Sequence, residues 1–276
     1  MVNFPNCKIN LGLNIIGKRA DGYHDLETVF YPVNLNDALE IIPVEKSTAK
    51  DQIEFSSSGL NIDGVEEDNL CIQAYRLLKK NFPELPAIKM HLHKTIPMGA
   101  GLGGGSADAA FTLTLLNNKF NLGLSTNQLI SYALQLGSDC PFFIINKPCF
   151  ATGRGEVLEE INLDLSKYKL AIVNPGIHIN TGRAFSQIKP AIAAYSVKEI
   201  IKKPVEQWKD KLVNDFEELV VTTYAQMKDL KETLYNSGAI YASMSGSGST
   251  FYGIFDKEKK VDTSVFPADY FIEIIE

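Results

Sequence analysis

The chain has 276 residues, 45% of them hydrophobic and 22% charged, with a formal net charge of -6. That balance belongs to an ordinary folded protein with room for one large or two moderate domains, and it excludes extensive disorder. Lysines and arginines are scattered, which argues against a nucleic-acid partner, and no apolar run approaches the length of a membrane span.

Met1 to Pro5 has neither a basic region nor an apolar core, so no secretory signal is expected and the protein is expected in the cytoplasm. Residues 9–16 alternate loosely and Tyr23 to Val33 forms a second extended run. Between them, Arg19-Ala20-Asp21-Gly22 carries the Asp-Gly pair of a hairpin turn. Residues 38–44 and 52–55 read as further strands. Asp68-Asn69-Leu70 opens a helix to about Lys80, with Leu70, Ala74, Leu77 and Leu78 on one face. Ile88, Met90 and Leu92 alternate with Lys89, His91 and His93, a strand with one buried face whose histidines look to solvent.

A glycine-rich loop follows Pro97, and then Ala109, Ala110, Leu113, Leu116 and Phe120 recur at helical spacing. Ser125 caps another predicted helix, Thr126 to Leu136, which Gly137 stops. The turn Ser138-Asp139-Cys140-Pro141 leads to the apolar stretch Phe142 to Ile145, read as a strand. Residues 170–173 read as a strand, 197–236 as largely helical, and 239–244 with 250–255 as paired strands. The class is α+β, with a boundary between about 150 and 168. Cys7, Cys71, Cys140 and Cys149 form no CxxC pair or zinc spacing and are expected as reduced, packed thiols.

The loop Pro97-Met98-Gly99-Ala100-Gly101-Leu102-Gly103-Gly104-Gly105-Ser106-Ala107-Asp108 carries the strongest local signal. Five glycines among residues 99–105 are a costly choice for a mere connector. Without side chains, successive N–H groups converge on one anion, and the following helix adds partial positive charge at its N-terminus. Polyphosphate fits that geometry. Ser106 either caps the helix or places its hydroxyl on a phosphate oxygen or a magnesium ion. Gly99, Gly101 and Gly104 match G-x-G-x-x-G, but a dinucleotide fold needs another strand next, and residues 121–136 read as a loop and a helix. A Walker loop needs a lysine that Gly105-Ser106-Ala107 lacks, and protein-kinase signatures are absent.

The loop resembles the hallmark of the GHMP family of small-molecule kinases, and the resemblance runs through nearly the whole chain. It includes Lys8-Ile9-Asn10-Leu11, Arg19 to His24 with Leu26 and Thr28, Gly137 to Pro141, Asn174-Pro175-Gly176, Asn214 to Glu217 and Ser245 to Thr250. The glycine loop alone identifies only the superfamily. The Asp-Gly-Tyr-His segment points to a branch acting on a cytidyl diphosphate alcohol. The resemblance implies a two-domain architecture, 1–152 binding ATP and 153–276 completing the fold, with the active site in the cleft between domains. It implies ATP with Mg2+, no assignable metal ligands, no nucleic acid or membrane partner, and a monomer or homodimer.

By the same resemblance Lys8 and Asp139 are the catalytic pair, and Pro97, Met98, Gly99, Ala100, Gly101, Leu102, Gly103, Gly104, Gly105, Ser106 and Ala107 hold the nucleotide. Alone, Lys8 reads as a surface lysine and Asp139 as a turn residue. Tyr23 and His24 are implied to line the cytidine pocket and Asn10 to bind substrate. Thr181 and Phe185 are candidates for the same pocket, equally suited to packing. The resemblance sets Ser245 to Thr250 beside nucleotide and substrate, where a hairpin connection explains it equally well; Phe216 and Glu217 read as scaffold. Rival readings are another kinase of the superfamily acting on homoserine, mevalonate or a sugar, a non-catalytic nucleotide sensor, and a nicotinamide-dependent oxidoreductase.

Overall fold

The period-2 alternation in residues 88–94 builds the first sheet. The computed structural model describes residues 1–44, 52–62, 64–191 and 193–276. In them the chain forms two units: one of Met1–Cys7, Asn34–Met98 and Gly103–Asn146, the other of Lys8–Val33, Gly99–Leu102 and Lys147–Glu276. Neither is a single stretch of sequence.

In the first unit a sheet orders β1 (Val2–Asn3), β4 (Ala38–Pro43), β6 (Ile88–Lys94) and β5 (Ile53–Gly59). β4 runs antiparallel to β6, pairing Leu39 with Leu92 and Ile41 with Met90, while β5 runs parallel to β6. The parallel pair requires a crossover, supplied by α1 (Leu70–Asn81). Asn69 caps α1 by accepting from the Cys71 N–H, so the helix opens within the Asp68-Asn69-Leu70 segment that the sequence indicates. α2 (Gly104–Phe120) and α3 (Thr126–Leu136) complete the layer, and Tyr75, Leu78, Leu113 and Leu116 pack on the inward strand residues. The Ser125–Gln128 capping box fixes the start of α3. On the outer face Ser58 Oγ lies 2.9 Å from ring nitrogens of both His91 and His93.

Phe142 to Ile145, expected as a strand, belongs instead to a short helix, α4 (Cys140–Ile145). Four apolar residues carry no usable periodicity. Pro141 decides the matter: its fixed φ suits the first helical turn, where its missing N–H costs nothing. Asn146, in the left-handed region at φ +51°, ends the helix.

The second unit holds most of β2 (Asn6–Lys18) and β3 (His24–Asn36), which with β7 (Cys149–Thr152) and β8 (Val157–Glu160) form a sheet in that order. The β2–β3 turn keeps Asp21 at negative φ and puts Gly22 at +87°, with Gly22 N–H donating to Arg19 O, a type I turn closed by a glycine bulge. A second antiparallel sheet orders β10 (Tyr241–Met244), β11 (Phe251–Asp256), β9 (Tyr168–Asn174) and β12 (Phe271–Ile275). The predicted pair β10–β11 is present with Tyr241 opposite Ile254. A short helix, α5 (Thr181–Gln187), precedes the region expected to be helical, which breaks into α6 (Val197–Ile200), α7 (Asp215–Thr223) and α8 (Leu230–Asn236). Their core gathers Leu13, Ile15, Phe216, Leu234, Phe251 and Phe255. Glu217, as expected of scaffold, accepts from the Met244 N–H at 3.1 Å and from Lys231 at 2.5 Å.

Candidate active site

The glycine-rich turn alternates left-handed glycines with ordinary residues: Gly99, Gly101 and Gly103 stand at φ +61°, +79° and +70°. Gly103 occupies the position before α2, and the Ala107 N–H returns to the Gly103 carbonyl at 2.9 Å. The amides of Gly104, Gly105 and Ser106 precede that first helical bond, so helix geometry leaves them without an intrahelical acceptor. A Cβ on Gly104 would stand 2.9 Å from the Ile96 side chain, whereas one on Gly105 would meet nothing within 4 Å. Gly104 is thus glycine for packing, and Gly105 keeps a space open.

That space belongs to a cavity of about 300 Å³. Phe55, Ile62, Leu92 and Met98 give it apolar wall, and Asn69, Gly105 and Asp108 give it polar groups. The volume sits at the lower end of small-ligand pockets, and the mix of flat apolar wall with few polar groups suits a nucleobase. Burial pushes the nearby Cys140 thiol up to about 12, against a downward pull from its hydrogen bond with Ser106, so this cysteine is a packed thiol and not a nucleophile. All four cysteines are buried.

Beside the cavity lies a charged cluster that local sequence patterns do not announce. Lys94, 1% exposed, ends β6 on its inward face and ion-pairs with both Asp37 and Asp108. Asp37 also accepts from the Thr95 N–H at 2.6 Å and the Ile96 N–H at 2.9 Å. Burial raises the Asp108 carboxyl to about 7; Lys94 opposes the rise and Asp37 adds to it. Burial alone would lower the Lys94 ammonium, but the two carboxylates outweigh it and raise it.

The folded chain holds the Asp108 proton at pH values where the unfolded chain, with an ordinary carboxyl near 3.8, has released it. This group's contribution to stability is therefore complete below the ordinary value and is lost as the pH rises through about 7. Asp108→Asn removes that loss. Urea unfolding is expected to show the variant gaining on the parent by about 2–3 kcal/mol between roughly pH 5 and 8. A difference that stays constant with pH would mean that Asp108 does not titrate there.

Lys8 is no surface lysine: it is 3% exposed, on β2. Its ammonium donates to Asn10 Oδ1 and to the Gly101 carbonyl at 3.0 Å, and stands 5.1 Å from the centre of the Phe30 ring. Asn10 is held in turn, its Nδ2 donating to Thr28 Oγ1 at 2.9 Å, so the side chain fixes where the Lys8 ammonium stands. The second glycine-rich turn packs on the first. Ser245 Oγ donates to the Gly101 carbonyl at 2.8 Å, and the Thr250 N–H donates to the Ala100 carbonyl. Asn214 braces that turn from behind by donating to the carbonyls of Met244 and Gly246.

The same unit brings His24, Thr181 and Phe185 to related positions. The buried His24 ring stacks on Phe185 at 5.4 Å, and Phe185 meets the edge of the core residue Phe216 at 4.7 Å. Thr181, first residue of α5, shares a hydrogen bond with Ser247 of the second turn at 3.0 Å. Tyr23 differs from its neighbour: it is 56% exposed, and the Arg154 guanidinium lies over its ring at 4.8 Å. In the other unit Asp139, half-buried, sits immediately before α4 in helical backbone conformation, and its carboxylate is not used to cap that helix.

Residues 69–147 match the family described as GHMP kinases N terminal domain, and residues 196–263 match GHMP kinases C terminal. A 4-diphosphocytidyl-2-C-methyl-D-erythritol kinase of Bacteroides fragilis is 52% identical over 98% of this chain and 97% of its own length. One of Azobacteroides pseudotrichonymphae is 53% identical over 93% and 94%. A crystal structure of 4-(cytidine 5'-diphospho)-2C-methyl-D-erythritol kinase superposes with a TM-score of 0.81 at 28% identity, covering 93% of this chain and 91% of that one. The fold, the glycine-rich turn at the head of α2 and the likeness over nearly the full length lead to one conclusion: the chain belongs to the 4-diphosphocytidyl-2-C-methyl-D-erythritol kinase family of GHMP kinases.

Proposed function

We propose that this protein transfers the terminal phosphoryl group of ATP to the 2-hydroxyl of 4-diphosphocytidyl-2-C-methyl-D-erythritol, a step of non-mevalonate isoprenoid biosynthesis. One observation carries the reading: the N-terminus of α2, whose first three amides have no intrahelical acceptor, reaches a cavity of nucleobase size at Gly105. The family selects the acceptor alcohol.

Phosphoryl transfer passes through a loose transition state, so holding the partners in line and stabilising charge matter more than a strong base. The amides of Gly104, Gly105 and Ser106 receive the phosphates, with the helix dipole adding to their pull. Met98 and the apolar wall receive the base. Asp139 orients the acceptor hydroxyl and takes its proton late; Lys8, held by Asn10 and Gly101, steadies negative charge on the transferring group. Tyr23, His24, Thr181 and Phe185 bind the cytidine end, an assignment supported by the exposed Tyr23 ring and the His24–Phe185 stack. Among the described residues no group of three or more His, Cys, Asp or Glu is arranged to hold a metal ion. Mg2+ needs no such cage, since one or two carboxylates with the nucleotide's phosphates and water suffice, and the ion is proposed to enter with those phosphates.

The reading is tested by ADP release with the cytidyl diphosphate alcohol set against homoserine, mevalonate and sugars. Turnover of another alcohol alone would overturn the acceptor, and ATP binding with no acceptor would favour a sensor. Within this reading Tyr23→Ala is expected to raise the KM for the alcohol by roughly tenfold or more, the worth of one base–aromatic stack. The ATP constant should stay put. An unmoved alcohol KM would remove Tyr23 from the pocket.

A further inference from the structure

The glycine-rich turn is anchored on both sides by the same buried cluster. Lys94 precedes the turn and Asp108 follows it on α2, joined at 2.8 Å. Asp37 holds Lys94 from the β3–β4 connection and also takes the Thr95 and Ile96 amides that lead into the turn. The Lys94 ammonium lies against the first residue of α2, where a Cβ on Gly104 would come within 3.0 Å of Nζ. One cluster therefore touches the strand that enters the turn and the helix that leaves it.

Stability does not explain the arrangement. Three ionisable groups at 1–2% exposure carry, whenever they are charged, a desolvation cost that well-packed apolar side chains of similar size would avoid. Asp108 aggravates it, because its Oδ1 is buried with no hydrogen-bond partner. An unsatisfied buried oxygen of this kind calls for an explanation. Among the described residues around the cluster, Cys71 on α1 is a thiol pushed well up by burial, and Glu66 and Asp68 stand on the cavity wall. None supplies Lys94 with a substitute for Asp108.

We propose that Asp108 is a positioning residue for the phosphoryl donor, which through Lys94 fixes where the first amides of α2 stand. The inference rests on the reading of that helix terminus as the ATP phosphate site. Asp108 itself touches no phosphate: it is 2% exposed, and its partnered oxygen is occupied by Lys94. Its effect is on the aim of Gly104, Gly105 and Ser106, and therefore on ATP more than on the alcohol. Asparagine keeps an oxygen for Lys94 and should largely preserve the aim; alanine removes it.

Asp108→Ala and Asp108→Asn should be compared with the parent by ATP titration calorimetry, steady-state kinetics and thermal unfolding. For Asp108→Ala the ATP Kd and KM are expected to rise about tenfold while the alcohol KM moves less than about twofold and kcat falls less than about threefold. Asp108→Asn should recover ATP affinity to within about threefold of the parent. The asparagine variant keeps the test open if the alanine variant does not fold. Unchanged ATP affinity in both variants would overturn the proposal, as would equal losses in the ATP and alcohol constants together with lowered thermal stability. If the parent binds ATP but phosphorylates no alcohol, the acceptor assignment fails while the calorimetry still decides the role of Asp108.

Discussion

Asp139→Asn is expected to lower kcat by about two to four orders of magnitude, the range for losing a positioned proton acceptor, while the Kd for ATP changes less than about threefold. The amide copies the shape of the carboxylate and removes both its charge and its affinity for a proton. Helix α4 should survive the change, because it is started by Pro141 and the local backbone and not by the Asp139 side chain. ATP affinity should survive because its phosphates are assigned to main-chain amides of α2, which the substitution does not reach. Single-turnover transfer and calorimetric ATP binding on the same preparation separate the two effects. Turnover within twofold of the parent would take the carboxylate out of the mechanism. Lys8→Met is expected to cost a similar factor, and the double variant little more than either alone, since residues acting as a unit give non-additive losses.

Gly101→Ala is expected to cost about 3–5 kcal/mol of stability, or to abolish folding, from clash and backbone strain together. Gly101 sits at φ +79°, and a Cβ there would lie 2.0 Å from the Ser245 carbonyl oxygen and 3.2 Å from that of Gly248. Both neighbours are main chain, so no rotamer change relieves the contact. The Ser245–Thr250 turn cannot simply retreat, because Asn214 and the Ser245–Thr250 and Gly248–Ser245 main-chain bonds hold it. Any shift would also move the Gly101 carbonyl away from Lys8. Gly105→Ala is the counterpart: its Cβ meets nothing within 4 Å and its backbone is helical, so thermal stability should hold while ATP affinity falls. Thermal unfolding and ATP titration of the two variants should thus report opposite defects. Equal stability for both would show that the two turns are not locked together.

Much of this was legible where local chemistry and tertiary demand agree. The Ser125–Gln128 box and Gly137 bound α3 at the residues the sequence indicates. The alternation of Ile88, Met90 and Leu92 fixes both β6 and its inward face. The glycine turn announces itself because only glycine tolerates its backbone. The Lys94 cluster was hidden for the opposite reason: its members come from three separate elements, and no local pattern joins them. One signal was nonetheless present. Continuing the same alternation puts Lys94 on the buried face, and a lysine there requires an acid partner. Without the family resemblance, the burial of Lys8 is hidden for a related reason. Residues 6–15 of β2 are buried on both faces, so alternation gives no clue that the lysine among them is enclosed. Strands β7, β8 and β12 left no comparable trace, being short and paired with distant partners.

The chain passes from one unit to the other at 7–8, 33–34, 98–99, 102–103 and 146–147. A growing polypeptide therefore meets an awkward timetable on the ribosome. Leu13, Ile15 and Leu26 emerge long before Phe251, Phe255 and Phe266, which share their core. The strands that carry them must wait, apolar and uncovered, until those partners arrive, and it is during that interval that nascent-chain chaperones have most to protect.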